Sequence, residues 1–259
     1  MNIHPTAIIH PGAEIAPDAS VGAYSVVGDR VRIGSGSSIG PYVNIQGPTE
    51  IGPGCRILSH CAIGSEAQDL KYQGETTYLR IGSNNLIREF VTINRGTAGG
   101  GGQTTLGDDN YLMTGAHVAH DCTLGSGIIL ANAATLAGHV VIESHATVGA
   151  FSGVHQFCRV GVHAYIGGYS VITRDALPFI KTVGNRNEAR TYGINTLGLE
   201  RQGFLKEEVR ALKRAYRILV QSRLALREAV EQLRAEYPDS PHIRLLADFA
   251  QNSERGFIR

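Results

Sequence analysis

The chain has 259 residues and a formal net charge of +1, so it is one large domain, or one domain with a small appendage, and by charge it is not a nucleic-acid binder. No run of 18 apolar residues occurs, and the N-terminus "MNIHPTAIIHPGAEI" lacks the charged and apolar regions of a secretory leader. Four cysteines without a CxxC pair suggest a cytoplasmic protein with reduced thiols.

From Ile3, a β-branched aliphatic recurs every sixth residue: Ile3, Ile9, Ile15, Val21, Val27, Ile33, Ile39, Ile45, Ile51, Ile57, Ile63. The register resumes at Ile81, Ile87 and Ile93, slips by one residue, and continues from Leu106 to Ile172. The position four after each hit is mostly small, as at Ala7, Ala13, Ala19, Ser25 and Ala116, and the position one after the hit is often Gly, as at Gly22, Gly28 and Gly34. This is the hexapeptide signature of a parallel β-helix, in which three short strands make an 18-residue triangular coil. Each coil hydrogen-bonds to the next, so stability is built from neighbour contacts. Cys55, Cys61, Cys122 and Cys158 all fall in the small inward slot, where a free thiol behaves as a small hydrophobe.

Two segments interrupt the repeat. "GSEAQDLKYQGETTYLR" (64–80) puts Asp69 and Glu75 where aliphatics belong, and "NRGTAGGGGQTT" (94–105) carries four consecutive glycines. Both are expected to project as loops, and long loops in a compact domain are usually functional or disordered. The repeat ends near Pro178. Helical spacing follows at Leu205, Val209, Leu212, Tyr216 and Leu219, then at Leu226, Val230, Leu233 and Tyr237, with a last short helix expected near 242–252. The expected organisation is an all-β solenoid over residues 1–180, followed by a C-terminal linker and α-helical domain over 181–259.

The heptapeptide "AHVAHDC" (116–122) lies inside this frame. Alternation turns Ala116 and Val118 inward and His117 outward, and puts His120 and Asp121 at a corner. Residues 18 apart stack about 4.8 Å away on the next coil. Gly138 then lies above His120, His139 above Asp121, and Gln156 above Gly138 with His155 beside it. A neutral histidine can take a proton from a hydroxyl, a carboxylate can fix its tautomer, and a bare glycine N–H can meet an oxyanion. That is the equipment of direct acyl transfer, since Cys122 and Cys158 face inward. Each histidine alone also fits a solvated corner without a role. A zinc site of His117, His120 and His139 is a further reading, disfavoured because Asp121 would crowd the metal. His4, His10, His60, His145 and His163 read as surface residues outside the cluster.

The segments "AQDLKY" (67–72), "IREFVTINRGT" (87–97), "AHVAHDC", "LANAATLAGHV" (130–140), "VHQFC" (154–158) and "RGFIR" (255–259) together resemble the acyl carrier protein–UDP-N-acetylglucosamine O-acyltransferases, the first enzymes of lipid A synthesis in Gram-negative bacteria. The resemblance covers essentially the whole chain. It implies a left-handed β-helix, a homotrimer with sites between subunits, and no cofactor or metal. It implies His120 as general base on the glucosamine 3-hydroxyl, Asp121 as its orienting partner and the Gly138 amide as oxyanion donor. The implied donor is an (R)-3-hydroxyacyl thioester on acyl carrier protein. Gln68, Asp69, Lys71, His117 and His139 match positions that hold the sugar or diphosphate; Gln156, Asn195 and Arg201 match nucleotide-side positions, and His155 neighbours the site. Gly168 matches the chain-length ruler, where a glycine leaves room for a longer acyl chain.

The chain departs from the family pattern at Leu197 and Gln202, and in "GNRNEARTYGIN" (184–195), which is longer than the usual segment. Residues 201–234 carry a surplus of five positive charges, a face that suits an acidic carrier protein. Two other acyl acceptors or chemistries remain as alternatives: a 3-amino sugar nucleotide, and hydration by a zinc β-helix. A related N-acyltransferase carries a nucleotide-binding domain before its β-helix, whereas the repeat here begins at Ile3. A scaffold β-helix would show regular outward rows, which the two loops and the histidine cluster contradict.

Overall fold

The computed structural model describes residues 2–259. Every repeat hit from Val21 to Ile172 is buried, and Ile3, Ile9 and Ile15 pack half-buried at the open N-terminal end. Short strands, most of two residues, stack in three parallel faces of a triangular prism. The first face begins with Asn2–Ile3, the second with Ile8–Ile9 and the third with Glu14–Ile15. In register, each inward aliphatic stands on the one a coil below, as Ile39 does on Val21 and Ile57 on Ile39. One large and one small side chain per strand fill an interior too narrow for more. Where the small slot is serine, the hydroxyl donates inside the wall: Ser25 Oγ to the Gly40 carbonyl at 2.7 Å, and Ser152 Oγ to that of Gly167 at 2.8 Å. The four cysteines are buried, and burial pushes their thiols up, to about 11 in Cys61 and Cys158 and about 12 in Cys122.

Three corners join the faces. The first, leading into the second face, carries a ladder of exposed rings: Tyr24, Tyr42, His60 and Phe90 stack with centroids 5.0–5.2 Å apart, and Phe151 stacks on Tyr169 at 5.2 Å. The first coils of the third face are charged outward, with Glu14 paired to Arg32 and Glu50 to Arg80 in stacked register. The second corner, between the second and third faces, is where both interruptions leave the prism. Strand Ala62–Ser65 ends there and the chain returns at Tyr78–Ile81; Thr92–Asn94 ends there and the chain returns at Gln103–Leu106. The second insertion explains the slipped phase, because Ile81 pairs with Leu106 rather than with a residue 18 away.

Strand Ile180–Val183 adds to the first face and turns back antiparallel as Arg190–Ile194. Four helices follow: α1 (Thr196–Arg201), α2 (Lys206–Tyr216), α3 (Leu226–Glu236) and α4 (Pro241–Gln251). A π-helical turn, Arg217–Gln221, extends α2. The Glu208 carboxylate caps α2 by accepting from Leu205 N at 2.7 Å, and Glu228 does the same for α3 at Ala225 N. Pro241 opens α4 at its first turn, behind a Ser240 cap. The buried faces of α2, α3 and α4 form a second core with Phe179 and Ile180.

His163 is not the surface residue that its sequence position suggests. The helical tail folds over the third corner, so His163 is half-buried, stacked on His145 at 4.8 Å and edge-on to Phe204 at 5.0 Å. His242 on α4 packs on Phe204 and meets Glu208 at 3.2 Å. Burial first, then the neighbouring His145 and His242, push His163 down to about 4. An unfolded histidine titrates near ~6.5, so below that pH the unfolded chain binds a proton the folded chain refuses. Stability therefore falls as pH drops from about 6.5 towards about 4. Thermal melts across this window should show Tm falling with acid, and His163→Phe should fall less steeply. Parallel profiles would show that His163 does not carry the effect.

Candidate active site

The second corner holds His120 and Asp121 directly above the second insertion. Asp121 takes the left-handed corner conformation (φ 59°), repeated one coil up by His139 (φ 61°) and again by Phe157 (φ 62°). A non-glycine residue there costs about 1–2 kcal/mol, which the hydrogen bonds around Asp121 offset. Its N–H donates to Thr104 Oγ1 at 2.8 Å. Its carboxylate accepts Thr97 N on Oδ1 at 2.8 Å and Thr97 Oγ1 on Oδ2 at 2.7 Å. His120 Nδ1 stands 2.8 Å from the same Oδ2. With the carboxylate as acceptor, Nδ1 carries the imidazole proton and Nε2 is left as the base nitrogen.

These two corner residues are not solvated, as a bare β-helix corner would be. The Asp121 side chain has no exposed surface and that of His120 only 11 %. The turn Thr97–Gly102 lies across them. Gly100 passes so close that a methyl group there would run into the Asp121 carboxylate. The first insertion braces the second: Glu75 Oε1 accepts Ala98 N at 3.2 Å, and Arg95 reaches the Tyr72 hydroxyl at 3.4 Å.

One coil up, Gly138 supplies bare backbone beside the ring. A Cβ on Gly138 would sit 2.5 Å from His120 Cε1 and 2.7 Å from Nε2, so only glycine lets the imidazole lie here. The Gly138 N–H donates to no acceptor among the described residues. His139 stands edge-on to His120 with centroids 5.2 Å apart, and stacks on Phe157 at 4.4 Å. His117 faces out of the second face, its Nδ1 2.7 Å from Thr92 Oγ1. Burial and then the nearby His120 push its pKa down, so it is neutral at pH 7. His155 and Gln156 continue the corner, with His155 Nδ1 3.3 Å from the Gln156 carbonyl.

The remaining residues singled out in the sequence lie elsewhere on the chain. Gln68, Asp69 and Lys71 are on the first insertion, where Asp69 accepts Lys71 N at 3.0 Å. Asn195 donates to the His163 carbonyl at 3.1 Å, beside the third corner, and Arg201 is exposed at the end of α1. Gly168 sits at the first corner, with Ala150 O 3.3 Å from where its Cβ would be and little else nearby. Thr92, Thr97 and Thr104 were not legible as site residues. The available signal was a hydroxyl on each side of the glycine run, with Thr104 in an inward slot that aliphatics and alanine usually fill.

His120, Asp121 and His139 each bring a potential ligand atom within 4.8 Å of the others, a different trio from the histidines expected. Two ligands on one tetrahedral zinc stand about 3.3 Å apart, given bonds of about 2.0–2.1 Å. The 2.8 Å from His120 to Asp121 is a hydrogen bond, and Thr97 donates to both carboxylate oxygens. The donor set suits a base and its partner better than a metal.

A relative from Xanthomonas campestris, an acyl-[acyl-carrier-protein]–UDP-N-acetylglucosamine O-acyltransferase, is 49% identical over 99% of this chain and 97% of its own length. The chain belongs to this O-acyltransferase family. The Stenotrophomonas maltophilia O-acyltransferase is 47% identical over the same spans. The family described as UDP N-acetylglucosamine O-acyltransferase, domain 2, matches residues 175–258, and the bacterial transferase hexapeptide family matches residues 30–65. Among solved structures, the UDP-N-acetylglucosamine O-acyltransferase of Moraxella catarrhalis superposes with a TM-score of 0.96 at 41% identity, covering all of both chains. The Arabidopsis UDP-N-acetylglucosamine acyltransferase superposes at 0.85 with 34% identity over 99% of this chain and all of its own. The O-acyltransferase fold, a left-handed parallel β-helix with a helical tail, is that expected from the repeat and the resemblance.

Thr97 makes a direct test of the buried pair. Thr97→Val removes a hydrogen bond to a carboxylate, worth about 1.5–3 kcal/mol, and should lower Tm; Thr97→Ser should restore it. An unchanged Tm in the valine variant would show that the Thr97 hydroxyl does not help to hold Asp121.

Proposed function

We propose that this chain transfers an (R)-3-hydroxyacyl group from acyl carrier protein to the 3-hydroxyl of UDP-N-acetylglucosamine, the first step of lipid A assembly. The observation that carries this reading is the buried His120–Asp121 pair, with its free Nε2 beside the unengaged Gly138 N–H. Family membership supports the substrates. Neither alternative, the 3-amino sugar or the zinc hydratase, is favoured by any relative cited above.

The reaction follows from these positions. His120 Nε2 takes the proton from the sugar hydroxyl as its oxygen attacks the thioester carbonyl, and the C–O bond forms. The carbonyl oxygen becomes an oxyanion that accepts from Gly138 N–H. Asp121 stabilises the imidazolium and keeps its proton on Nδ1. Collapse breaks the C–S bond, and His120 returns the proton to the departing thiolate. Cys122 and Cys158 do not carry a covalent acyl-enzyme, because both are buried with thiols pushed up to about 12 and about 11. Direct transfer between two bound substrates needs no cofactor and no metal.

Sugar and diphosphate contacts fall to Gln68, Asp69, Lys71, His117 and His139, with His155 beside them; nucleotide contacts fall to Gln156, Asn195 and Arg201. His120 and Gly168 stand on different corners, so one coil cannot present both to a single acyl chain. A homotrimer resolves this by setting the first corner of one copy against the second corner of the next. The exposed rings of that first corner, from Tyr24 to Tyr169, suit an interface, and the paired charges of the third face suit solvent. The acidic carrier docks on the basic helical tail. Lys206, Arg210, Lys213 and Arg217 form no ion pair among the described residues. No helix is long and apolar enough to cross a membrane, and we place the reaction in the cytoplasm.

Mass spectrometry of UDP-N-acetylglucosamine incubated with 3-hydroxyacyl carrier proteins of graded chain length tests the proposal. A singly acylated nucleotide sugar is expected, with longer chains preferred. Folded protein that acylates nothing would overturn it. His120→Ala should lower the transfer rate by ~10²–10⁴-fold without unfolding the protein. Gly168→Met should shift the preferred donor to shorter chains; an unmoved preference would remove Gly168 from the acyl groove.

A further inference from the structure

The hairpin that departs from the family pattern, and the C-terminal residues it touches, form a pocket that the transfer chemistry does not use. A cavity of about 420 Å³ is lined by Thr173, Arg174, Asn187, Arg190, Phe257 and Arg259, among others. Three arginines therefore share one wall system, and no Asp or Glu side chain lines it. None of the three forms an ion pair with a carboxylate side chain or a chain terminus among the described residues. The adjacent acid, Asp175, is committed elsewhere: its carboxylate accepts Arg159 N at 2.8 Å and Ser253 Oγ at 2.7 Å, and the residue is buried. Arg259 is held by stacking on Phe257, its guanidinium 5.4 Å from the ring centroid, and its main-chain oxygen accepts Thr191 N at 3.4 Å.

Three guanidinium groups with no Asp or Glu side chain among them repel one another, and a bound anion offsets that cost. Guanidinium forks match the oxygens of a phosphoryl group in geometry and charge. Thr173 and Asn187 add neutral hydrogen-bonding groups to the same walls. The volume lies in the range of small-molecule pockets, about 300–1,000 Å³, and leaves room beside a phosphate for an organic group. The pocket is separate from His120. Arg174 follows strand Val171–Ile172 one coil beyond Gln156, so it stands three coils from His120 along the second corner, roughly 14 Å at about 4.8 Å per coil.

We propose that this pocket is an anion site for a phosphoryl group, either free orthophosphate or the phosphate of a small phosphomonoester. The site exists because the long hairpin Ile180–Ile194 carries Arg190 over the end of the prism, where Arg174 and Arg259 already stand.

Isothermal titration of the full-length protein in about 0.15 M KCl, which screens diffuse attraction beyond about 8 Å, tests this with two probes, orthophosphate and glucose 6-phosphate. Arg174 and Arg190 are exposed, so Arg174→Gln/Arg190→Gln should keep the wild-type Tm without ligand. Saturable binding of either probe to wild type, weakened at least tenfold in the double variant, is the expected result. Tighter binding of glucose 6-phosphate than of orthophosphate would point to an organic phosphate as the occupant, and equal binding to the phosphoryl group alone. No binding of either probe up to 10 mM, or equal binding to both proteins, overturns the proposal.

Discussion

The structure depends on one packing constraint. The interior of the prism is one aliphatic wide, so each coil must place its inward residue on the one below, and the chain can gain or lose residues only at a corner. Both long insertions obey this by leaving at the second corner, in successive coils. The corner immediately above them carries His120 and Asp121. A rule about apolar packing thus decides where a polar site can be built.

The consequence is electrostatic. A corner residue of a β-helix is normally wet, and a histidine beside an aspartate in water is an unremarkable surface pair. Here the glycine-rich turn excludes solvent and supplies two Thr97 donors to the carboxylate, while Thr104 fixes its backbone. The pair becomes fixed in place, with Nε2 turned to the bare backbone of Gly138. In a site drier than water, such hydrogen bonds are stronger and leaving one unmade costs more. The glycines of the turn serve approach as much as flexibility, since Gly100 lies against the carboxylate itself.

Much of this was legible in the sequence because the repeat is a ruler. Counting in sixes and eighteens places Cys122 inward, His117 outward, and Gly138 above His120, and all three positions hold in the structure. It also marks both insertions by where the count fails. Counting cannot see what an insertion does once it leaves the wall. The Thr97 contacts and the dryness of Asp121 depend on how the second insertion folds back, which no period encodes. His163 was misread for the same reason: its corner is exposed in the repeat, and the helical tail then covers it. Gly168 and His120 lie on different corners, so a role for both in one site rests on the proposed pairing of two copies.

The proposed role of His120 requires Asp121 to hold its proton on Nδ1 and to leave Nε2 free to accept one. Nitrogen-15 NMR of ¹⁵N-imidazole-labelled protein at neutral pH, with His120 assigned by comparison with His120→Gln, reads that tautomer directly. A protonated Nδ1 and a bare Nε2 are expected for His120, with the preference lost in Asp121→Ala. A proton on Nε2 in the wild-type protein would contradict it, because the base would then have nothing free to accept the sugar's proton.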